Sequence, residues 1–125
     1  MKIFKNLTIL SVDNSSGDDN LLFLKDYCRE FYRASNHIQA IEIYKEQSPQ
    51  IIIMDPCFDD VMINFAKEIR RKDERVVFVA FSECNDNEAL KEILELNFAS
   101  YMPKQISKKD LSTYLNLISK KSSLP

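Results

Sequence analysis

Ile51-Ile52-Ile53-Met54-Asp55-Pro56 is the stretch on which the fold of this chain turns. Its four apolar residues run without a polar partner between them. That pattern marks a strand buried on both faces, as a central strand of a parallel sheet must be, whereas a half-buried strand alternates. Asp55-Pro56 terminates it, since proline brings no backbone donor to a ladder. A second run of the same kind, Val76-Val77-Phe78-Val79-Ala80-Phe81, follows downstream, and the spacing between the two predicts a helix from about Asp60 to Arg71.

Upstream, Leu7 to Val12 reads as a first strand that stops at Asp13-Asn14-Ser15-Ser16-Gly17. From Asp18 or Asp19, which suit an N-cap, the recurrence of Leu21, Leu22, Leu24, Cys28, Phe31 and Tyr32 predicts a first amphipathic helix. A brief second strand is expected over Tyr32 to Ser35. Ile38, Ile41, Ile43 and Tyr44 then predict a helix that ends by Ser48-Pro49. Downstream of Phe81, Ser82 to Asn87 reads as loop and cap, and Ala89, Leu90, Ile93, Leu94 and Leu96 as a helix. Ala99 to Met102 is a short fifth strand, Pro103-Lys104-Gln105 a turn, and Leu111, Tyr114, Leu115 and Ile118 the stripe of a last helix capped by Ser107. Strand and helix alternate five times, which predicts an α/β fold with a doubly wound parallel sheet covered on both faces.

The bulk properties fit one such domain. The chain has 125 residues, 45% of them apolar, enough for a single core, so residues 1–121 are read as one domain and 122–125 as a polar tail or the start of a linker. The net charge of −2 and the scattered Lys and Arg residues give no footprint for direct nucleic-acid binding. No apolar run is long enough to span a membrane and Met1 to Lys5 lacks a signal-peptide core, so a cytoplasmic location is expected. Cys28, Cys57 and Cys84 form no CxxC pair and leave an odd thiol in any disulfide scheme, which suits a reducing compartment. His37 is the single histidine, so a structural zinc site is excluded as well. Cys28 is expected to pack in the core, while Cys57 and Cys84 fall in loops.

In open α/β sheets ligands bind beyond the carboxyl ends of the strands. That rule collects Asp13, Asp55, Ser82 and Lys104 into one cleft. Two carboxylates with Asn14 beside them make a hard-oxygen site suited to Mg²⁺. A carboxylate at Asp55 can take a phosphoryl group as nucleophile, while Lys104 neutralises its oxygens and Ser82 hydrogen-bonds one of them. Taken singly, each residue is ordinary loop chemistry; four complementary groups at four strand ends of one sheet form a site.

From about Leu7 to Ile118 the sequence resembles bacterial two-component receiver domains. The resemblance lies in Ile9-Leu10-Ser11-Val12-Asp13-Asn14, in Ala34-Ser35-Asn36 followed by Ala40-Ile41-Glu42, in Ser48 to Asp55, in Val76 to Ser82 and in Ala99 to Lys104. It implies a flavodoxin-like (βα)5 topology with strand order 2-1-3-4-5 and Asp55 as phosphoacceptor. It further implies Mg²⁺ held by Asp13, Asn14, Asp55 and the backbone carbonyl of Cys57, and Ser82 and Tyr101 as switch residues. A histidine kinase or phosphotransfer protein would be the donor, and a downstream protein or output domain the recipient of the signal. Such a domain is a signalling phosphoacceptor rather than an enzyme, self-catalysed transfer and dephosphorylation apart.

The departures matter too. Asn14 replaces an acid, which removes charge from the metal site and weakens Mg²⁺ binding. Glu83 stands where a small residue is usual, Gln105 where a proline is usual, and Pro56 to Asp60 lacks a Pro-Gly turn. Asn14, Glu83 and Gln105 favour an alternative in which a degenerate receiver acts as a phosphorylation-independent interaction module. A third reading, a nucleotide-binding flavodoxin-like protein, is opposed by the first loop, whose only glycine is Gly17. Apolar residues on the last helices suit a homodimer or another partner equally.

Overall fold

The computed structural model describes residues 4–12, 22–55, 60–82, 87–103 and 106–121. Five strands, β1 (Phe4–Val12), β2 (Cys28–Ala34), β3 (Ile51–Met54), β4 (Val77–Phe81) and β5 (Ser100–Met102), form one sheet in the order β2-β1-β3-β4-β5. Every pairing is parallel. The helices are α1 (His37–Gln47), α2 (Asp60–Lys72), α3 (Asn87–Glu95) and α4 (Lys108–Lys121), with a 3₁₀ helix at Leu22–Asp26 between β1 and β2.

The two wholly apolar runs are where the sequence puts them. Ile51 and Ile53 pack with Leu24, Leu111, Leu115 and Ile118 on one face, and Ile52 and Met54 with Ala40, Phe65 and Ile69 on the other. With helices on both sides, no residue of β3 has a solvent side, which is why the run does not alternate. Gln50 aligns the centre of the sheet. Its side-chain oxygen accepts from the Thr8 N–H at 2.7 Å, its N–H donates to the Thr8 carbonyl at 3.0 Å, and its carbonyl accepts from Val77 at 2.9 Å. Val12, Met54 and Ala80 are thereby brought level at the opposite edge.

The helix expected through Cys28, Phe31 and Tyr32 is not formed. The described part of the first crossover contains only the 3₁₀ turn, and β2 begins at Cys28, well before the predicted Tyr32. The register of β2 against β1 shifts between Phe4 and Thr8. As a result Cys28 and Phe31 pack on one face and Tyr32 and Ala34 on the other. An irregular strand thus reproduced the three-and-four spacing of a helix, and parallel pairing with β1 overrode it. Asp18, Asp19 and Leu21 lie outside the described residues. β2 is one of the two outer strands, and its Arg29, Glu30 and Arg33 are exposed.

The caps agree with the sequence more closely. Asn36 accepts from the Gln39 N–H at 2.9 Å at the start of α1, and Ser48 closes that helix in the left-handed region (φ 48°) ahead of Pro49. Ser107 accepts from the Asp110 N–H at 3.1 Å at the start of α4, as expected. After α2, Asp73 caps the turn by accepting from the N–H groups of Arg75 (2.9 Å) and Val76 (3.2 Å). Its other oxygen accepts from the Tyr44 hydroxyl at 3.0 Å.

Burial, with the Asp73 hydrogen bond and charge behind it, raises the Tyr44 pKa. The folded phenol therefore keeps its proton to higher pH than the unfolded one. Its contribution to stability is complete below the unfolded value and is lost as pH rises through the folded value. In thermal melts the advantage of the native chain over Tyr44→Phe should shrink as pH climbs past about 10. An advantage that grows with pH would contradict this account.

Ser11, in the middle strand pair, is 1% exposed, and its hydroxyl finds no hydrogen-bond partner among the described residues. Such a group loses water and gains nothing. Ser11→Ala is expected to raise stability by about 1 kcal/mol, read as a higher denaturation midpoint at unchanged slope. A lower midpoint would mean that the hydroxyl is satisfied after all.

Candidate functional site

Asp55 leaves the end of β3 directly, and its side chain is half-buried at the carboxyl edge of the sheet. Ser82 leaves β4, the neighbouring strand, and is 1% exposed. Its N–H donates to the Met102 carbonyl at 3.0 Å, which ties the exit of β4 to the exit of β5. Tyr101 lies on β5 level with Ala80 and is half-buried. The structure thus places three of the sequence-selected residues at one end of the three strands β3, β4 and β5.

The register continues this edge to β1. Val12 is level with Met54, so the residues that follow them in the chain are Asp13 and Asp55. Asp13, Asn14, Cys57 and Lys104 themselves lie outside the described residues, as do Cys84, Glu83 and Gln105. Cys28 has the packing role read for it: it is wholly buried, and its thiol donates to the Glu30 carbonyl at 3.3 Å. Among the described residues no three His, Cys, Asp or Glu side chains converge on a point that would hold a metal ion. The groups that are placed at the edge, a carboxylate and a hydroxyl, are oxygen donors, and this chemistry fits Mg²⁺ better than a thiolate- or imidazole-seeking ion.

A cavity of about 420 Å³ lies elsewhere, between α1 and α2, lined among others by His37, Ile41, Tyr44, Val61, Phe65 and Lys72. Neither Asp55 nor Ser82 lines it.

Sequence reasoning missed Arg70. It stands in the last turn of α2 beside Arg71 and Lys72 and reads as one more cation complementing the helix dipole. In the structure its guanidinium is a hub, with hydrogen bonds to carbonyls of two separate connections. The available signal was its spacing, four residues after Ala66 and seven after Ile63, both buried. This places it on the border of the packed stripe.

The family profile of the response regulator receiver domain matches residues 15–116. A search of curated proteins gives no match. Among solved structures, the CheY-like response regulator receiver domain protein from Methanospirillum hungatei JF-1 superposes with a TM-score of 0.85 at 13% identity, covering 95% of this chain and 98% of that one. The chemotaxis response regulator CheY4 of Vibrio cholerae gives a TM-score of 0.76 at 17% identity, with coverage of 91% and 99%. A two-component response regulator of the LuxR family from Aurantimonas sp. SI85-9A1 gives 0.77 at 19%, with coverage of 94% and 87%. At such identities the structures speak for the fold, and the profile speaks for the family. None of the described helices is long and apolar enough to cross a membrane. The chain belongs to the response regulator receiver domain family, the phosphoacceptor domains of two-component signalling.

Proposed function

We propose that the chain works as a phosphorylation-driven switch in which Asp55 is the phosphoacceptor. The observation that carries this reading is the half-buried carboxylate at the exit of β3, one strand away from the buried Ser82, whose backbone is tied to the exit of β5. A carboxylate oxygen of Asp55 attacks the phosphorus of a phosphohistidine on a histidine kinase or phosphotransfer protein. The new P–O bond forms as the P–N bond breaks, and the released imidazole keeps the electron pair and takes a proton. The product is an acyl phosphate on Asp55.

Asp13, Asn14, Asp55 and the backbone carbonyl of Cys57 would hold Mg²⁺, which would supply positive charge against the phosphoryl oxygens. Lys104 adds a second cation, and the Ser82 hydroxyl donates to one phosphoryl oxygen. Phosphorylation adds close to two negative charges, enough to draw Ser82 toward the group and to change the packing of Tyr101. The altered surface is then read by a downstream protein or output domain. The domain is taken to comprise residues 1–121 and to work in the cytoplasm.

Asn14, Glu83 and Gln105 favour a second reading, a receiver that keeps the fold and signals by contact alone. Intact-mass measurement after incubation with acetyl phosphate separates the two. The switch takes up one phosphoryl group in the presence of Mg²⁺ and none in EDTA. No uptake, together with no spectral response to beryllofluoride and Mg²⁺, would leave the interaction module as the function.

A further inference from the structure

We propose that the cavity between α1 and α2 binds a small amphiphilic anion, an alkyl carboxylate of the medium-chain fatty-acid kind, with its charged end between Lys45 and Lys72. Neither Asp55 nor Ser82 lines the cavity, so binding there does not require the phosphoryl switch.

The walls come from two helices that cover the same face of the sheet. Ala40 of α1 and Phe65, Ala66 and Ile69 of α2 are buried in one core cluster. The space left between the helices is about 420 Å³, within the range of pockets that enclose small molecules. Of its apolar lining, Phe65 and Ile69 are buried, Ile41 and Tyr44 half-buried, and Val61 is 39% exposed. The cavity therefore deepens from an open mouth to a closed floor. From Val61 to Lys72 the helix rises by roughly 16 Å. Spread over that length, the volume makes a channel about 5 Å across, whereas a helix is about 10 Å across. Those dimensions favour a single alkyl chain over a helix of another protein.

Charge lies at one end. α1 and α2 both lead back from the carboxyl edge of a parallel sheet, so they run in the same direction. Lys45 and Lys72, each in a last turn, therefore line the same end of the cavity. The acid in the lining is Glu68, which pairs with Lys72 at 3.2 Å and also with Arg71, from outside the cavity, at 2.7 Å. Two cations thus share one carboxylate, and Lys45 has no ion pair among the described residues. Lysines in a last turn answer the helix dipole; here they do so at the rim of an open apolar cavity. An amphiphilic anion satisfies both features at once, since its chain leaves water and its carboxylate gains two ammonium neighbours.

Titration of the full chain with decanoate, followed by amide chemical shifts and calorimetry, tests the site. Decanoate should shift amides of 41–45, 61–65 and 68–72 and saturate at one equivalent, and decyltrimethylammonium should bind at least about tenfold more weakly. Lys45→Gln combined with Lys72→Gln should weaken decanoate about tenfold, and Glu68→Gln should tighten it about threefold. Val61→Trp, at an exposed position, should fill the cavity and remove binding. The site is overturned if decanoate shifts none of these amides, if the ammonium compound binds as well as decanoate, or if the charge substitutions leave affinity unchanged or move it the other way. It is overturned equally if decanoate fails while an acidic amphipathic peptide shifts the same amides, which would make the groove a surface for a protein. Should Val61→Trp not fold, the charge substitutions decide. Decanoate binding to a chain that takes up no phosphoryl group would remove the switch and leave this site standing.

Discussion

Asp55→Asn is expected to abolish uptake of a phosphoryl group from acetyl phosphate while leaving the fold intact. The amide keeps the shape of the side chain but carries no charge, and a neutral amide oxygen is too weak a nucleophile to displace the leaving group at phosphorus. The half-buried position tolerates the exchange because an amide can still accept hydrogen bonds. Asp55→Glu is the sharper variant. It retains the carboxylate and moves it by one methylene, and a misplacement of about 1 Å at a reacting atom costs roughly a hundredfold in rate. Mass spectrometry should therefore show no adduct on Asp55→Asn and a slow, incomplete one on Asp55→Glu. An adduct of native yield on Asp55→Asn would place the acceptor elsewhere.

Arg70→Ala is expected to destabilise the chain by about 3 kcal/mol. Truncation strands the carbonyls of Leu96, Val76 and Glu74, each of which loses a charge-assisted hydrogen bond, and it removes the cation from the Phe78 ring. Burial works against the charged guanidinium, and the carboxylates of Asp73 and Glu74 work in its favour. For a domain of this size the change lowers Tm by roughly 10 °C. Arg71 is the internal comparison. It is the next residue on the same helix, its side chain is 72% exposed, and its ion pair with Glu68 lies in solvent, so Arg71→Ala should barely alter the melt. Equal effects at the two positions would refute the hub.

How far the fold could be read from the sequence depended on burial. Ile51 to Met54 and Val77 to Phe81 are covered on both faces, and continuous apolar runs announce that condition without ambiguity. β2 is an edge strand with an irregular register, so Cys28, Phe31 and Tyr32 carry a spacing that a helix shares. Local pattern cannot separate the two; only the pairing with β1 does. Asp55 and Ser82 stand out in the sequence as strand exits because each follows an apolar run. Arg70, at the other end of β4, does not stand out, since its partners are carbonyls, and every residue in a sequence has one. Asp13, Asn14, Cys57 and Lys104 lie outside the described residues, and their roles stay with the proposal.

The exposed charges of β2 bear on how the molecule behaves in a crowded solution. Two copies brought together edge to edge about a two-fold axis would pair their outer strands in antiparallel fashion, and with Phe31 at the centre each Arg29 would stand opposite Arg33 of the other copy. Like charges placed directly across a ladder repel. The strand that closes the sheet on this side therefore opposes pairing of two β2 edges, a hazard that an uncharged seven-residue edge would invite.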